Sequence, residues 1–197
     1  NKSFYIVKNI KVTATVPMKG NNERVPNKNI RLLNGKPVCH WIIESLSRSK
    51  YIDEIIINTD SEKIKEIVSD FKLVKILDRP DFLLGDAVSM QPLLAYDIEH
   101  AKNDFIFQTH STNPLLSTET IDKAIETYFD NLDKHDALFS VTPIQQRFYF
   151  KNGEPVNHDP NNMIQTQLLE PIYHENSCLY IFSKETNRTV KNRIGTN

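Results

Sequence analysis

Residues 12–29 read VTATVPMKGNNERVPNKN. The run Val12–Val16 consists of β-branched and small residues and predicts a buried strand. A polar loop follows, with one glycine, Gly20, and three cations, Lys19, Arg24 and Lys28. Glycine lets a backbone approach a ligand, exposed amides form an anion-binding nest, and lysine or arginine neutralises phosphate oxygens. The loop therefore indicates a polyphosphate site, and the alternative from the residues alone is a solvated loop that is basic by chance.

Composition sets limits on the class of protein. The chain has 197 residues, of which 25% are charged, with a net charge of −1. This length predicts a single domain, residues 10–197, and the balanced charge argues against nucleic acid or a membrane surface as partner. No window approaches the roughly 18 apolar residues of a membrane span. Cys39 and Cys178 lie in apolar patterns and are expected to be buried thiols in a reducing, cytoplasmic compartment.

Beyond the loop, strand and helix patterns alternate. This alternation predicts an α/β fold with a mostly parallel sheet and helices on both faces, in which ligands bind at the carboxyl ends of the strands. Asp60-Ser61 is interpreted as a helix cap, and so is Asp86. The predicted strands are 54–59, 73–77, 105–107 and 137–142. The predicted helices start at Pro37, after Ser61 and near Asp86 (ending at His100), and a further helix is predicted to be capped by Thr118.

After Thr142 the alternation stops. Asn152-Gly153 is a strong hairpin signal, and Ser177–Phe182 is predicted as a returning strand. The excursion, about residues 145–172, is expected to form a homodimer contact or a lid over the site.

Residues Lys19–Asn29 resemble the N-terminal signature of cytidylyltransferases that activate sugar acids, namely the acylneuraminate enzymes and their relatives acting on 3-deoxy-octulosonate. The resemblance implies a three-layer, Rossmann-like nucleotide-diphospho-sugar transferase fold. It assigns the catalytic, triphosphate-holding role to Lys19, Arg24 and Lys28. Nucleotide contacts are implied for Gly20, Asn21, Asn22, Glu23 and Asn29.

Two further segments carry the resemblance. Arg79-Pro80 with Ser89 is similar to a family element beside cytosine and ribose, which implies nucleotide contacts for Arg79 and Ser89. His110–Pro114 resembles a Gln-Pro-Thr-Ser-Pro element between nucleotide and sugar, which implies a nucleotide contact for Thr112 and a sugar contact for His110. His110 is not expected to be a general base.

The last similar segment is Tyr173–Ser177, which resembles a Tyr-Glu-Asn-Gly element before the final core strand. It implies sugar contacts for Gln167, Glu175 and Asn176. Relatives carry an arginine shortly before this glutamine, to meet the sugar carboxylate, whereas Gln165 and Thr166 stand there in this chain. Asp60 matches a family Ser-Thr-Asp element and is interpreted as structural.

The resemblance implies a CTP-dependent enzyme that joins CMP to a nonulosonic, sialic-acid-like sugar acid and releases pyrophosphate, with Mg²⁺ as cofactor. The expected metal-binding aspartates lie beyond Asn197, in a segment that the given chain is expected to lack. Three alternatives stay open: another sugar nucleotidyltransferase of this fold, a catalytically inactive nucleotide-binding domain, and a partner-binding α/β domain with an incidental basic loop.

Overall fold

The structure is a computed structural model and describes residues 10–20, 25–85 and 87–196. Its strands are β1 (Val12–Thr15), β2 (Leu32–Leu33), β3 (Lys36–Pro37), β4 (Ile52–Thr59), β5 (Val74–Asp78), β6 (Phe105–Gln108), β7 (Ala137–Ile144) and β8 (Ile172–Ser183). Its α-helices are α1 (Val38–Ser47), α2 (Glu62–Val68), α3 (Met90–His100), α4 (Thr118–Asp130) and α5 (Lys184–Val190). The chain divides into two compact units, residues 1–139 with 178–197, and Ser140–Ser177.

Six of the strands form one sheet in the order β5-β4-β1-β6-β8-β7. β1 pairs in parallel with β4 and with β6, and β4 pairs in parallel with β5. β8 runs antiparallel to β6. All four residues of β1 are buried, as expected for a central strand whose two faces are both covered. The predicted mostly parallel sheet is confirmed.

Helices pack on both faces of this sheet, and each face has its own apolar core. Successive residues of β4 belong to different cores: Ile55 and Ile57 are part of one core, and Ile56 is part of the other. The first core includes buried residues of α1, α2 and α4, and the second includes Leu94 and Ile98 of α3. The alternation follows from the two-residue period of a strand, and it confirms the three-layer α/β fold class.

Helix starts differ from the prediction at three places. α1 begins at Val38, with Pro37 as its N-cap, rather than at Pro37 itself. α3 begins at Met90 rather than near Asp86, which lies outside the described residues. The reason is Pro92: a proline is tolerated in the first turn of a helix, but deeper inside it clashes with the preceding turn. α4 is capped by Ser117, whose hydroxyl accepts the N–H of Thr120 at 3.2 Å, and not by Thr118.

The second unit, Ser140–Ser177, contains the predicted turn. The N–H of Phe150 bonds to the carbonyl of Glu154 at 2.8 Å, and Gly153 has a φ of 88°, a conformation that glycine adopts without steric cost. The hairpin is short, with a single isolated bridge between Tyr149 and Pro155. Gln145 binds the carbonyls of Gln167 and Leu169 and joins the two ends of this unit.

Within the described ranges, every helix is too short or too polar to cross a bilayer. Both cysteines are free thiols, with Cys39 buried and Cys178 half-buried rather than fully buried as expected.

Candidate active site

The strand order places a topological switch point between β1 and β6. From β1 the chain proceeds to β4 on one side, whereas β6 lies on the other side. Open α/β sheets bind ligands in the crevice at such a point, beyond the carboxyl ends of the strands. Here the crevice is bordered by Val16–Gly20 after β1 and by Thr109–Ser111 after β6, and the N–H of Thr109 donates to the carbonyl of Thr15 at 3.1 Å.

The segment after β1 stays beside β4 and is tied to its end. Met18 donates its N–H to the carbonyl of Asn58 at 2.9 Å, and Gly20 donates its N–H to Oδ1 of Asp60 at 2.7 Å. A Cβ added at Gly20 would lie 2.7 Å from the Cβ of Ser61, so only glycine fits at this close approach. The sequence predicts that the backbone at Gly20 approaches a ligand, whereas in the structure it closely approaches Ser61 of the protein itself. The nucleotide contact of Gly20 stays a prediction.

This geometry corrects the interpretation of Asp60. The cap of α2 is Ser61, whose side chain accepts the N–H of Ile64 at 3.3 Å. Asp60 instead fixes the loop that carries Lys19. The sequence did not distinguish the two roles, because Asp and Ser are both common cap residues.

Two of the three predicted cations are described. Lys19 reaches across to the carbonyl of Gly85, after β5, with its Nζ at 3.1 Å. Lys28 is exposed and begins the 3-10 turn Lys28–Ile30. The third cation, Arg24, and the predicted nucleotide contacts Asn21, Asn22 and Glu23 lie outside the described residues.

Asn29 connects the loops after β1 and β6. Its side-chain amide donates to the carbonyl of Lys19 at 2.7 Å and accepts the hydroxyl of Ser111 at 2.5 Å. The side chain is buried, with 3% of the residue exposed. Asn29 therefore holds the backbone of Lys19 in place, and its predicted nucleotide contact stays a prediction.

Arg79 is part of a buried polar chain at the carboxyl ends of β4 and β5. Its Nε donates to Oδ1 of Asn58 at 2.8 Å and its Nη2 donates to the Asn58 carbonyl at 3.0 Å. Asn58 in turn donates to Oδ1 of Asp97 at 2.6 Å. Arg79 is 7% exposed, so in this structure its guanidinium binds Asn58, and the predicted nucleotide contact stays a prediction.

Burial is the largest cause of the pKa shifts of the two charged groups, Arg79 and Asp97, that hydrogen-bond or lie next to Asn58. Burial lowers the pKa of Arg79, against the charges of Asp60 and Asp97. It raises the pKa of Asp97 to about 7, against the hydrogen bond from Asn58 and the charges of Arg79 and His100. Oδ2 of Asp97 is buried and has no hydrogen-bond partner in the described chain.

Ser89 and Thr112 are both exposed. Ser89 occupies the N-cap position of α3 without making a side-chain cap bond. Thr112 lies in the turn after β6 that is closed by the N–H of Asn113 and the carbonyl of His110, at 3.1 Å. The exposed hydroxyls leave the predicted nucleotide contacts of Ser89 and Thr112 sterically possible.

His110 is half-buried beside the last residue of β6, with its Nε2 3.3 Å from Nε2 of Gln108. Burial and then the positive charges of Arg193 and Lys28 lower the pKa of His110 to about 4. The imidazole is therefore neutral near pH 7. So low a pKa makes it a weak base. That His110 does not act as a general base stays a prediction.

Arg193 belongs to this site and was not predicted. Its Nη1 donates to Oε1 of Gln108 at 2.8 Å, its Nη2 donates to the hydroxyl of Tyr180 at 2.9 Å, and its guanidinium lies 3.7 Å from the Tyr180 ring centre. A single arginine after the last helix carries no motif signal. Only the return of β8 beside β6 places it at the switch point.

Three predicted sugar contacts belong to the second unit. Gln167 and Glu175 are exposed, and Asn176 accepts from Ser140 at 2.6 Å and donates to Thr142 at 3.0 Å. Tyr173–Ser177, expected to precede the returning strand, lies inside β8, and Ser177 has a φ of 58°. Within the described residues, no group of three or more His, Cys, Asp or Glu side chains is arranged to hold a metal ion.

Comparison with known proteins places this geometry in context. Residues 13–196 match the family model described as cytidylyltransferase. The chain is 28% identical over 176 residues to a pseudaminic acid cytidylyltransferase of Campylobacter jejuni subsp. jejuni serotype O:2, covering 84% of this chain and 75% of that protein. It is 26% identical over 189 residues to an N-acylneuraminate cytidylyltransferase of Streptococcus agalactiae serotype V, covering 90% of this chain and 44% of that protein.

A solved structure shows the same fold. A CMP:2-keto-3-deoxy-manno-octonic acid synthetase complexed with CTP superposes with a TM-score of 0.69 at 15% identity, covering 91% of this chain and 78% of that one.

Proposed function

Because the chain belongs to the cytidylyltransferase family, we propose that it forms a CMP-sugar from CTP and a nonulosonic, sialic-acid-like sugar acid, with release of pyrophosphate. The relatives named for pseudaminic acid and N-acylneuraminate support this substrate class. The observation that carries the proposal is the cationic crevice at the switch point. There, Asp60 and Asn29 fix the loop bearing Lys19 next to the turn bearing His110.

The reaction forms one bond to phosphorus and breaks another. The anomeric hydroxyl oxygen of the sugar attacks the α-phosphorus of CTP, the bond from this phosphorus to the bridging oxygen breaks, and pyrophosphate leaves with the electron pair. The hydroxyl proton is released to solvent or to a phosphate oxygen. Such in-line transfer depends mainly on positioning the reactants and neutralising charge. We assign these tasks to Lys19, Arg24 and Lys28, which would hold the triphosphate.

The neutral His110 fits a contact with the sugar better than proton abstraction. Its imidazole can donate one hydrogen bond and accept another, and its low pKa keeps a third positive charge away from Arg193 and Lys28. Sugar contacts of Gln167, Glu175 and Asn176, and nucleotide contacts of Ser89 and Thr112, are part of the same proposal.

Mg²⁺ is proposed as the cofactor, bound with the nucleotide. Magnesium commonly binds one or two carboxylates together with substrate phosphates, and Asp60 is the carboxylate fixed beside the loop after β1. When bound, the ion would neutralise charge on the phosphate oxygens.

A homodimer and a cytoplasmic location are also proposed. The second unit exposes large apolar side chains, including Phe150 at 58%, Met163 at 69% and Leu168 at 67%. Apolar patches of this kind mark protein contacts when they are contiguous. The two free thiols are typical of a reducing compartment.

The proposed function is tested by pyrophosphate release from CTP and Mg²⁺ with sialic, legionaminic, pseudaminic and 3-deoxy-octulosonic acids. UTP, GTP and ATP serve as nucleotide controls. We expect release with CTP and at least one nine-carbon acid. Release with another nucleotide but not with CTP would contradict the assignment, and so would the absence of release with every acid.

A further inference from the structure

The polar chain from α3 to the end of β5 begins in the apolar core. Ile56, two residues before Asn58 in β4, belongs to the core on the α3 face of the sheet, and residues two apart in a strand share a face. Leu94, one turn before Asp97, belongs to the same core. Asn58 and Asp97 are both 0% exposed, and they form the polar end of this core.

Asn58 satisfies both of its side-chain neighbours in one orientation only. Its Nδ2 donates to Asp97, and its Oδ1 accepts from Nε of Arg79. A side-chain amide has a donor end and an acceptor end, whereas a guanidinium only donates and an ionised carboxylate only accepts. If the amide turned over, two donors would face each other and so would two acceptors. Asp97 therefore determines which end of the amide is offered to Arg79.

The guanidinium of Arg79 is held along one edge. Nε donates to the side chain of Asn58 and Nη2 donates to the Asn58 carbonyl, while the backbone N–H of Arg79 donates to the carbonyl of Thr59 at 3.0 Å. Among the residues that the structure describes, Nη1 has no hydrogen-bond partner, so its N–H groups can bind a ligand. Because the other edge is fixed, such binding costs little conformational freedom.

This guanidinium lies where the nucleotide is expected. Arg79 directly follows β5 at the carboxyl end of the sheet, where open α/β sheets bind ligands. Lys19 reaches the same side, since its Nζ donates to the carbonyl of Gly85. Asp60, which fixes the loop of Lys19, lies close enough for its charge to act on Arg79.

We infer that Asn58 and Asp97 are positioning residues of the nucleotide site. Asp97 orients the amide of Asn58, and Asn58 orients the guanidinium of Arg79 for the nucleoside part of CTP. This inference rests on the proposed function and on the predicted nucleotide contact of Arg79, and it adds the two residues that set the geometry of that contact. A role in stability alone is the alternative, and it predicts unchanged nucleotide affinity in every variant that folds.

The test measures nucleotide affinity of Asp97 variants by calorimetric titration. Asp97→Leu removes the acceptor of Asn58 and should weaken binding of CTP and of CMP about tenfold, an effect typical of losing one hydrogen bond to a charged group. Binding of pyrophosphate, which has no nucleoside, should stay unchanged. Asp97→Asn keeps an oxygen that accepts from Asn58 and should retain most of the affinity.

Glu54→Leu is the matched control. Glu54 is also a buried carboxylate, and it lies toward the other end of β4 from Asn58. It accepts the hydroxyl of Thr13 at 2.8 Å and the N–H of Lys102 at 2.9 Å, so its removal also leaves donors unpaired. Glu54→Leu should lower the melting temperature, as Asp97→Leu does, and leave the affinities for CTP and CMP unchanged.

A double-mutant cycle shows whether Asp97 acts through Arg79. Arg79→Met removes the guanidinium and should itself weaken binding of CTP and CMP. Adding Asp97→Leu should then cause no further loss, because the group that Asp97 positions is gone. The NMR signal of the Arg79 Nε–H, identified by its absence in Arg79→Met, gives a check on the unmodified protein. It should shift when CMP is added and stay in place when pyrophosphate is added.

The outcomes distinguish this inference from the proposed function. Unchanged CTP affinity in folded Asp97→Leu, or additive losses in the double variant, would overturn the inference and leave the function standing. If Asp97→Leu does not fold, the NMR signal decides, and an Nε–H that ignores CMP overturns the inference. If the cycle holds but no acid gives pyrophosphate release, the proposed function fails and the positioning role stands. A protein that binds neither CTP nor CMP would remove both.

Discussion

The carboxylate of Asp60 accepts the backbone N–H of Gly20 at 2.7 Å. This bond joins the end of β4 to the loop after β1, forty residues earlier in the chain. It fixes the backbone immediately after Lys19, so the position of a proposed phosphate-binding cation depends on a residue from the neighbouring strand.

Asp60→Ala is expected to lower kcat/KM for CTP about tenfold or more, because a hydrogen bond to a charged group contributes about 1.5–3 kcal/mol. Steady-state kinetics with CTP as the varied substrate would measure this loss. Asp70→Ala, an exposed carboxylate just past the end of α2, is the control. Equal kinetics for the two variants would show that the Asp60 bond does not position the loop.

Gly20→Ala is expected to lower both the melting temperature and activity, since its Cβ would lie 2.7 Å from the Cβ of Ser61. Ser61→Gly alone should cost only a few tenths of a kcal/mol, because glycine is an acceptable cap. The double variant removes the clashing atom and should recover most of the loss. Thermal melts of all three variants check this, and additive losses in the double variant would rule out the clash.

Lys28→Ala should weaken equilibrium binding of CTP, and the loss of one such cation should reduce the catalysed rate about a hundredfold through a few kcal/mol of transition-state stabilisation. Lys123→Ala on α4, a cation on a different element, is the control for charge alone. Calorimetric titration with CTP measures the binding. Identical affinity for the unmodified protein and Lys28→Ala would remove Lys28 from the triphosphate site.

Asp97 and His110 should change the pH dependence of the free energy of unfolding in opposite directions. Burial raises the pKa of Asp97 from 3.8 to about 7, so its contribution is fully present below about pH 4 and is lost as pH rises through 7. The pKa of His110 is lowered from 6.5 to about 4, so its contribution is present above about pH 6.5 and is lost as pH falls through 4. Each contribution amounts to a few kcal/mol at most.

The two slopes oppose each other between about pH 4 and 6.5, and single variants should separate them. The free energy of unfolding of Asp97→Asn should rise with pH across this range, while that of His110→Gln should fall. The unmodified protein should show a flatter dependence than either variant. Urea titrations at pH 4.5, 5.5 and 6.5 measure the three slopes, and parallel slopes would contradict the assigned shifts.

Much of the fold was predictable because its signals are local. The buried run Ile55–Ile57 and the strand Val12–Thr15 identify strands by composition, and their alternation with helices determines a parallel sheet. The start of α3 was also predictable in principle, since Pro92 confines it to the first turn. Asp86 gives a competing start signal, because aspartate is a common cap residue.

The site was harder to predict from the sequence, because its geometry depends on which strands become neighbours. Asp60 was interpreted as a cap, since nothing in the sequence reveals that Gly20 lies beside it. Arg193 had no signal at all, because its partners Gln108 and Tyr180 are 85 and 13 residues away. Local sequence patterns identify helices and strands, whereas the order of the strands in the sheet determines which side chains meet at its end.

The central claim, nucleotidyl transfer from the α-phosphorus of CTP to a sugar acid, is tested most directly by isotope position. CTP labelled with ³²P at the α- or the γ-phosphate would be incubated with Mg²⁺ and a nine-carbon sugar acid, and the products separated. The account predicts that the α-label moves into a sugar-linked CMP while the γ-label is recovered in pyrophosphate. A γ-label attached to the sugar, or an α-label that never leaves CTP with any acid of the panel, would contradict it.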